Sequence, residues 1–181
     1  MSERLSGGRV RIRRYRAADV DALFEAASES IPEVSKWLPW CHPGYVREES
    51  AEWIGSRPEA WDRGLAYSYA IEDAATGGFL GGCGLNQIDP LNRSANLGYW
   101  VRTSRTGEGV ATAAARLAAT LGFEDLSLQR IEILAAFNNV ASRRVAEKLG
   151  AVKEGILRRR FLLRGEPQDG VLYSLVREDL S

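Results

Sequence analysis

The most constraining feature of this 181-residue chain is a glycine-containing turn between an apolar segment and an alanine-rich segment. Residues 98–101 read Gly-Tyr-Trp-Val, residues 106–112 read Thr-Gly-Glu-Gly-Val-Ala-Thr, and an apolar stretch follows. This order predicts a strand, a glycine-rich turn and the first turn of a helix. Several backbone N–H groups then point to one place and favour an anion there. The sequence therefore predicts a pyrophosphate-binding loop.

Two common nucleotide-binding motifs do not fit this turn. No Gly-Lys-Ser/Thr follows the glycines, so the lysine and the magnesium-binding hydroxyl of the nucleoside-triphosphate P-loop are missing. The dinucleotide fingerprint Gly-x-Gly-x-x-Gly/Ala is not matched either, because Ala111 comes one place too early. The sequence thus disfavours a kinase, an ATPase or a dinucleotide-dependent enzyme.

The turn resembles the coenzyme A loop of the GNAT superfamily of N-acetyltransferases, whose pattern is Gln/Arg-x-x-Gly-x-Gly/Ala. With Gly109 and Ala111 aligned on that pattern, Thr106 takes the first position and Arg105 stands beside it. Residues 138–151, Asn-Asn-Val-Ala-Ser-Arg-Arg-Val-Ala-Glu-Lys-Leu-Gly-Ala, look like the branch that acetylates the N-termini of ribosomal proteins. This resemblance extends over nearly the whole chain. It includes residues 154–158, Asp169 and residues 173–175 and, more weakly, residues 11–15, Asp19 and residues 37–40.

The resemblance implies a single α/β domain over residues 1–181, with a mixed, mostly antiparallel sheet of about six or seven strands and about four helices. It implies direct transfer of acetyl from acetyl-CoA to a primary amine, first of all the α-amine of a protein such as a ribosomal protein. A small amine (an amino acid, a polyamine or an antibiotic) and succinyl-CoA as donor remain alternatives, and a homodimer is a family expectation. The residues expected to bind the donor are Val101, Arg102, Thr103, Arg105, Thr106, Gly107, Glu108, Gly109, Val110, Ala111, Thr112, Asn139 and Ser142.

The catalytic expectations concern Ser142 and the proton of the acceptor amine. In relatives a serine stands at this position and its hydroxyl could hydrogen-bond the leaving thiolate, whereas spacing alone favours a local backbone bond. Asn139 is likewise either a helix cap or a coenzyme A contact. An acid stands in many relatives where this chain has Asn96, and asparagine cannot take the proton. We therefore name no general base, because Glu154, Glu48 and Asp169 are more typical of surface ion pairs.

An α-amine suits such a site, because its pKa near ~8 leaves part of it neutral at pH 7, while a lysine near ~10.4 is almost wholly protonated. Water could then relay the proton. The acceptor pocket is predicted among the aromatic residues that precede the sheet, with Trp37 and Trp40 as its walls because they flank Pro39 in a loop-like setting.

Composition excludes several other classes. The 24 basic residues balance the 24 acidic ones, so no overall field attracts nucleic acid or an anionic membrane. No apolar run approaches the length of a membrane span, and residues 1–8 lack a signal-peptide core, so we expect a cytoplasmic protein. Cys41, Cys83 and the single His42 give no metal-site spacing, and neither a disulfide nor a metal is expected.

Periodicity adds further expectations about individual elements. A strand over residues 10–15 should place Arg9, Arg11 and Arg13 in solvent. A helix over residues 45–62 should bury Trp53 and Ile54 and be kinked or split by Pro58. Residues 74–78 should form a hairpin turn, and residues 81–84 a bulged strand.

Two other functional classes remain open at this stage. A non-catalytic acyl-CoA sensor is suggested by Asn96 and Thr106, which replace commoner residues of the family. A weaker hypothesis is an RNA- or ribosome-associated adaptor that uses residues 158–160 and Arg164. On a regular strand, however, Arg158 and Arg160 would share the face opposite Arg159 and would not form one stripe.

Overall fold

The structure, a computed structural model, describes residues 2–180 and shows in them one sheet of eight strands with four α-helices. The sheet order is β1-β2-β3-β4-β5-β6-β8-β7, and every neighbouring pair is antiparallel except β5 and β6. The strands are β1 (Arg4–Gly7), β2 (Val10–Arg14), β3 (Tyr67–Asp73), β4 (Phe79–Asp89), β5 (Ser94–Val101), β6 (Arg130–Ala136), β7 (Val152–Leu163) and β8 (Glu166–Leu175). The helices are α1 (Val20–Val34), α2 (Arg47–Asp62), α3 (Val110–Asp125) and α4 (Val140–Leu149).

Helix α3 packs on one face of the sheet and α1 and α2 on the other. The buried side of α3 is built from alanines such as Ala114, Ala115 and Ala118, whose small side chains let the helix lie close to the strands. A Cβ on Gly122 would come within 2.9 Å of the ends of the Leu85 and Ile131 side chains, so a larger residue there would have to displace them. On the opposite face, α1 and α2 bury a smaller cluster against β3 and β4.

The mostly antiparallel α/β fold and its four helices are confirmed, and the strand count is slightly above the expected six or seven. The additional strand is β1, a four-residue edge strand whose side chains alternate between exposed and half-buried. Such a short segment with two polar residues and a glycine carries little periodic signal. The hairpin between β3 and β4 and the bulge near Gly81 are both present.

Helix α2 is not split at Pro58, and Trp53 is less buried than predicted. Pro58 lies inside the helix, which continues unsplit to Asp62. Ile54 is buried, but 37% of Trp53 is exposed because its ring lies on the wall of a cavity. Across residues 2–180, no helix combines the length and the apolar character needed to cross a membrane.

The prediction that Arg13 faces solvent is wrong. Arg13 is only 8% exposed. Its guanidinium donates to Glu72 at 2.5 Å and to both carboxylate oxygens of Asp19 at 2.7 Å. The pKa of Arg13 is raised, chiefly by its hydrogen bond to Asp19. The face of β2 that carries Arg13 is covered by the turn leading into α1, which makes the arginine internal. Arg11 is also not in solvent, since it is half-buried and pairs with Glu72 at 2.8 Å, whereas Arg9 is exposed as predicted.

The regular alternation expected for residues 158–160 is also wrong. The pairing of β7 with β8 shifts register between Leu157 and Phe161, and Arg159 has φ +51°. The backbone N–H of Arg159 donates to Asp169 at 2.8 Å. These three arginines therefore belong to a bulge and not to two faces of a regular strand.

Candidate active site

The site begins where two parallel strands separate. Strands β5 and β6 pair at Ser94–Arg130, Ala95–Ile131 and Asn96–Glu132. Beyond this point β5 continues to Val101 with β4 on its outer edge, and β6 continues to Ala136 with β8 on its outer edge. The inner edges of both strands then border a gap, and strand edges can bind an extended ligand through backbone hydrogen bonds.

The glycine loop lies between β5 and α3. Gly107 and Gly109 have φ of +82° and +80°, in the left-handed region that favours glycine, and α3 begins at Val110. Within residues 2–180, the backbone N–H groups of residues 107–112 have no hydrogen-bond partner. A Cβ at either glycine would meet open space. A helix N-terminus with free N–H groups is a site for an anion such as a pyrophosphate.

The two arginines among the residues expected to bind the donor, Arg102 and Arg105, are engaged within the chain. Arg102 contacts Glu29 and, at 2.8 Å, Glu25, both on α1. Arg105 donates to both carboxylate oxygens of Glu108 at 3.0 and 3.1 Å and lies 3.5 Å from Asp73. In this arrangement the loop presents backbone donors to a ligand, and the arginine charges are balanced by neighbouring carboxylates.

Helix α1 fixes the chain that enters the loop. Glu29 accepts from the backbone N–H and the hydroxyl of Ser104 at 3.0 and 2.7 Å, and Ser30 accepts from the N–H of Thr103 at 3.0 Å. The Arg102 guanidinium, followed by the bonds from Ser104, lowers the pKa of Glu29 to about 2. The threonine in the first position of the loop motif, Thr106, donates back to the Thr103 carbonyl at 2.9 Å.

Ser142 and Asn139 lie at the start of α4, beside the gap. The Asn139 side chain accepts from the backbone N–H of Ser142 at 3.1 Å, which is a helix cap. The Tyr99 hydroxyl donates to the Ser142 carbonyl at 3.0 Å and lies 3.1 Å from Ser142 Oγ. Burial raises the pKa of Tyr99 to about 12. Tyr99, on β5, therefore reaches across the gap to the helix that follows β6.

A cavity of about 590 Å³ lies on the α1 and α2 side of β4 and β5. Of the two tryptophans predicted to wall an acceptor pocket, Trp40 is among its lining residues and Trp37 is not. Trp40 packs edge-on against Trp100 with ring centroids 5.2 Å apart. The lining residues are Tyr15, Leu23, Leu38, Trp40, Tyr45, Glu49, Glu52, Trp53, Ser56, Ser68, Gly82, Cys83, Gly84, Leu85, Asn86, Gly98, Tyr99 and Trp100.

Sequence reasoning missed the contribution of α2 to this cavity. Glu49, Glu52, Trp53 and Ser56 line it, and their spacing of three and four residues places them on one helical face. The signal was therefore in the sequence, but helix spacing alone does not tell which face meets a ligand. Glu48, the carboxylate considered earlier, is exposed and is not among the lining residues.

The other acids considered as bases have structural partners. Glu154 accepts from Arg130 at 2.6 Å through both oxygens and from Ser174 at 2.7 Å. The Arg130 guanidinium, with Ser174 second, lowers the pKa of Glu154 to about 2. Asn96 donates to Asn86 at 3.0 Å. Cys83 lines the cavity, but burial raises the pKa of its thiol, which favours the protonated form.

A split sheet with a free helix N-terminus at one end of the split and a cavity beside it suits an acyltransferase that holds a phosphate-bearing donor in the gap and an acceptor in the cavity. The chain belongs to the acetyltransferase (GNAT) domain family, whose family model matches residues 9–152. It is therefore an N-acetyltransferase by family.

Individual relatives agree with this assignment. YdaF of Bacillus subtilis (strain 168), which bears a provisional name as a ribosomal N-acetyltransferase, is 33% identical over 94% of this chain and 92% of its own length. A crystal structure of a probable acetyltransferase is 29% identical with a TM-score of 0.88 and 96% of each chain covered. RimJ of Mycobacterium smegmatis, solved with a coenzyme A disulfide, is 28% identical with a TM-score of 0.84, covering 94% of this chain and 83% of that one.

Proposed function

We propose that the enzyme transfers acetyl directly from acetyl-CoA to the α-amine of a protein N-terminus, such as that of a ribosomal protein. The observation that carries this proposal is the position of β5. Its inner edge borders the gap, its residues Gly98, Tyr99 and Trp100 line the cavity, and its end leads into the glycine loop. A donor in the gap and an amine in the cavity would then meet beside Tyr99.

The donor side of the reaction uses backbone groups and one hydroxyl. The N–H groups of residues 107–112 would hold the pyrophosphate, and the edges of the gap would hold the chain that carries the thioester. Ser142 would donate its hydroxyl to the departing sulfur. A thiol of pKa near ~8.5 needs little more than such a hydrogen bond to leave.

The acceptor side fits a partly neutral α-amine. Glu49 and Glu52 on the cavity wall attract a cationic amine. The backbone N–H of Val46, followed by His42, lowers the pKa of Glu49, so this carboxylate is ionised at neutral pH. Because an α-amine is already partly neutral, water in the open cavity could take its proton without a dedicated base.

The name of one relative supports a protein acceptor, and the ligand of another supports the donor. YdaF bears its provisional name as a ribosomal N-acetyltransferase, and RimJ, the structural relative, was solved with a coenzyme A disulfide. We also propose that residues 1–181 act as one catalytic domain in the cytoplasm, and that the enzyme is a homodimer, which sedimentation of the purified protein would check.

The test begins with calorimetric titration of acetyl-CoA, free coenzyme A and succinyl-CoA into the purified protein. Transfer is then measured with short peptides bearing free N-termini, ribosomal proteins, free amino acids, a polyamine and an aminoglycoside. We expect acetyl-CoA binding and acetylation of N-termini, located by mass spectrometry. Transfer to small amines alone would show that the acceptor is a small amine and not a protein N-terminus. Tight binding of acetyl-CoA without any transfer would indicate a sensor, and no binding would contradict the proposal.

A further inference from the structure

One corner of the acceptor cavity holds a buried hydroxyl without a partner. Tyr15 follows β2, and its ring packs edge-on against Trp53 with centroids 4.8 Å apart. Its hydroxyl is buried, and no group within residues 2–180 hydrogen-bonds to it. Buried hydroxyls are nearly always paired in native proteins, so an unpaired one on a residue that lines a cavity is a candidate donor to a group bound there.

A second unpaired donor lies beside this hydroxyl. A Cβ on Gly82 would overlap the Tyr15 hydroxyl and would lie 2.8 Å from Trp100 Nε1. Within residues 2–180 the Trp100 indole N–H forms no hydrogen bond, and unlike the Tyr15 hydroxyl it is not fully buried. Glycine at position 82 therefore lets both donors pack directly against the β4 backbone at one corner of the cavity, which all three residues line.

The charges around this corner select the ligand group. Burial raises the pKa of Tyr15 well above its usual value, so its hydroxyl is a neutral donor. Among the described residues that line the cavity there is no lysine, arginine or histidine, whereas Glu49 and Glu52 are present. A carboxylate would enter this cavity without a counterion and close to two acids, at a high desolvation cost. An uncharged carbonyl oxygen would satisfy the donors without that cost.

We propose that Tyr15 and Trp100 bind the backbone carbonyl oxygen of the acceptor's first residue, so that the enzyme accepts peptides and amides and rejects free amino acids. This inference rests on the proposed function, because it assumes that the same cavity holds the acceptor. It assigns a specificity role to two neutral donors and a glycine, none of which was a predicted site residue.

The test uses three acceptors that differ at one group: L-alaninamide has a neutral carbonyl, L-alanine has a carboxylate, and isopropylamine has neither. Tyr15→Phe removes the hydroxyl and keeps the ring. We expect it to lower kcat/KM for L-alaninamide about tenfold, mainly through KM, and to leave the value for isopropylamine within a factor of about two. For each acceptor, kcat/KM of the variant is divided by that of the wild type. This ratio does not depend on the pKa of the acceptor amine, which differs among the three acceptors. The wild type should prefer L-alaninamide to L-alanine after correction for the neutral amine fraction.

The control is Tyr45→Phe, which removes a hydroxyl from the same cavity. That hydroxyl already bonds Ser50 at 2.8 Å, so its loss should change the rates with L-alaninamide and isopropylamine by the same factor. Acetyl-CoA affinity and the unfolding temperature of each variant show whether it folds. If Tyr15→Phe does not fold, Trp100→Phe makes the same test, because phenylalanine keeps an aromatic ring and lacks the N–H donor.

The outcomes separate this inference from the proposed function. The carbonyl-binding role would be overturned if Tyr15→Phe lowered kcat/KM equally for L-alaninamide and isopropylamine, or for neither. It would also be overturned if the wild type used L-alanine as well as L-alaninamide, or acetylated no amides or peptides. If peptides are acetylated without dependence on Tyr15, the proposed function stands and this inference fails. If amides show the dependence but protein N-termini are not acetylated, this inference stands and the proposed acceptor is wrong.

Discussion

The hydroxyl of Ser142 has one close side-chain neighbour, the hydroxyl of Tyr99 at 3.1 Å. The Tyr99 proton that bonds the Ser142 carbonyl can turn to Ser142 Oγ instead, and the serine proton is then free to point into the gap, where the sulfur of the donor would lie. Linked hydroxyls polarise one another, so the pair is a better donor than an isolated serine. The raised pKa of Tyr99, about 12, keeps its proton in place at working pH.

We expect Tyr99→Phe to lower kcat about tenfold while the affinity for acetyl-CoA changes little, since the loss falls on the leaving thiolate. Ser142→Ala should have a similar effect, and the double variant should lose less than the product of the two single effects. The measurement is a double-mutant cycle in kcat with a fixed peptide acceptor.

Tyr173→Phe is the matched control for this cycle, because its hydroxyl donates to Glu147 at 3.0 Å and accepts from Arg143 at 3.3 Å but does not bond Ser142. It should leave kcat within a factor of about two. Fully multiplicative losses at Tyr99 and Ser142 would show that the two hydroxyls act independently and would contradict the paired role.

Individual residues show what the sequence could and could not predict. The cap at Asn139 and the left-handed Gly150 that ends α4 follow from local chemistry, and both are present. Trp37 and Trp40 look alike in the sequence, and only the path of the loop decides that Trp40 faces the cavity. Arg13 was misassigned because its partners, Asp19 and Glu72, come from a turn and a neighbouring strand.

At the scale of elements, α1 supports the glycine loop through one carboxylate. Glu29 holds Arg102 and both polar groups of Ser104, immediately before the loop begins. Its pKa in the folded protein, about 2, lies below the usual value near ~4.3. Its contribution to stability is therefore complete above the usual pKa and is lost as the pH falls through the folded value.

We expect Glu29→Gln to weaken acetyl-CoA binding roughly three- to tenfold at pH 7, because the loop loses its ionic anchor. The free energy of unfolding of the wild type should fall between about pH 5 and pH 2 as Glu29 is protonated. In the variant this part of the fall should be absent. Calorimetric titration and denaturant unfolding at several pH values provide the two measurements.

Glu25→Gln is the control, since Glu25 also contacts Arg102 but 72% of its side chain is exposed. An exposed pair of this kind contributes little, so its removal should change acetyl-CoA affinity less than twofold. Equal effects of the two variants would show that the α1 contact acts through general charge and not through the anchoring of Ser104.

For the whole molecule, the class of fold and the place of the loop could be predicted, and the split in the sheet could not. Periodicity located the strands from residue 10 onwards, and the glycine pattern located the start of α3. The split depends on register, because β5 and β6 stop pairing after Asn96 while each remains paired on its outer edge. Strand patterns reveal which face is buried but not where two distant strands cease to pair.

The split divides the molecule into β1–β5 and β6–β8, and a ligand in the gap would connect the two parts. We expect acetyl-CoA to raise the unfolding temperature, with about 2.7 kcal/mol of added stability at a concentration of 100 times Kd. Hydrogen exchange should slow in residues 107–112 and along the inner edges over residues 97–101 and 133–136. Exchange in β1 and β2 should remain unchanged.

Adenosine 3′,5′-bisphosphate and adenosine 3′-phosphate 5′-diphosphate test which part of the donor produces each effect, because both lack the chain that carries the thioester. The diphosphate should protect residues 107–112 and leave the strand edges unprotected, whereas the bisphosphate, which lacks the pyrophosphate, should protect the loop less. Protection of both strand edges by the diphosphate would mean that closure of the gap follows from binding at the loop alone. Protection confined to β7 and β8 would place the donor elsewhere and contradict the site.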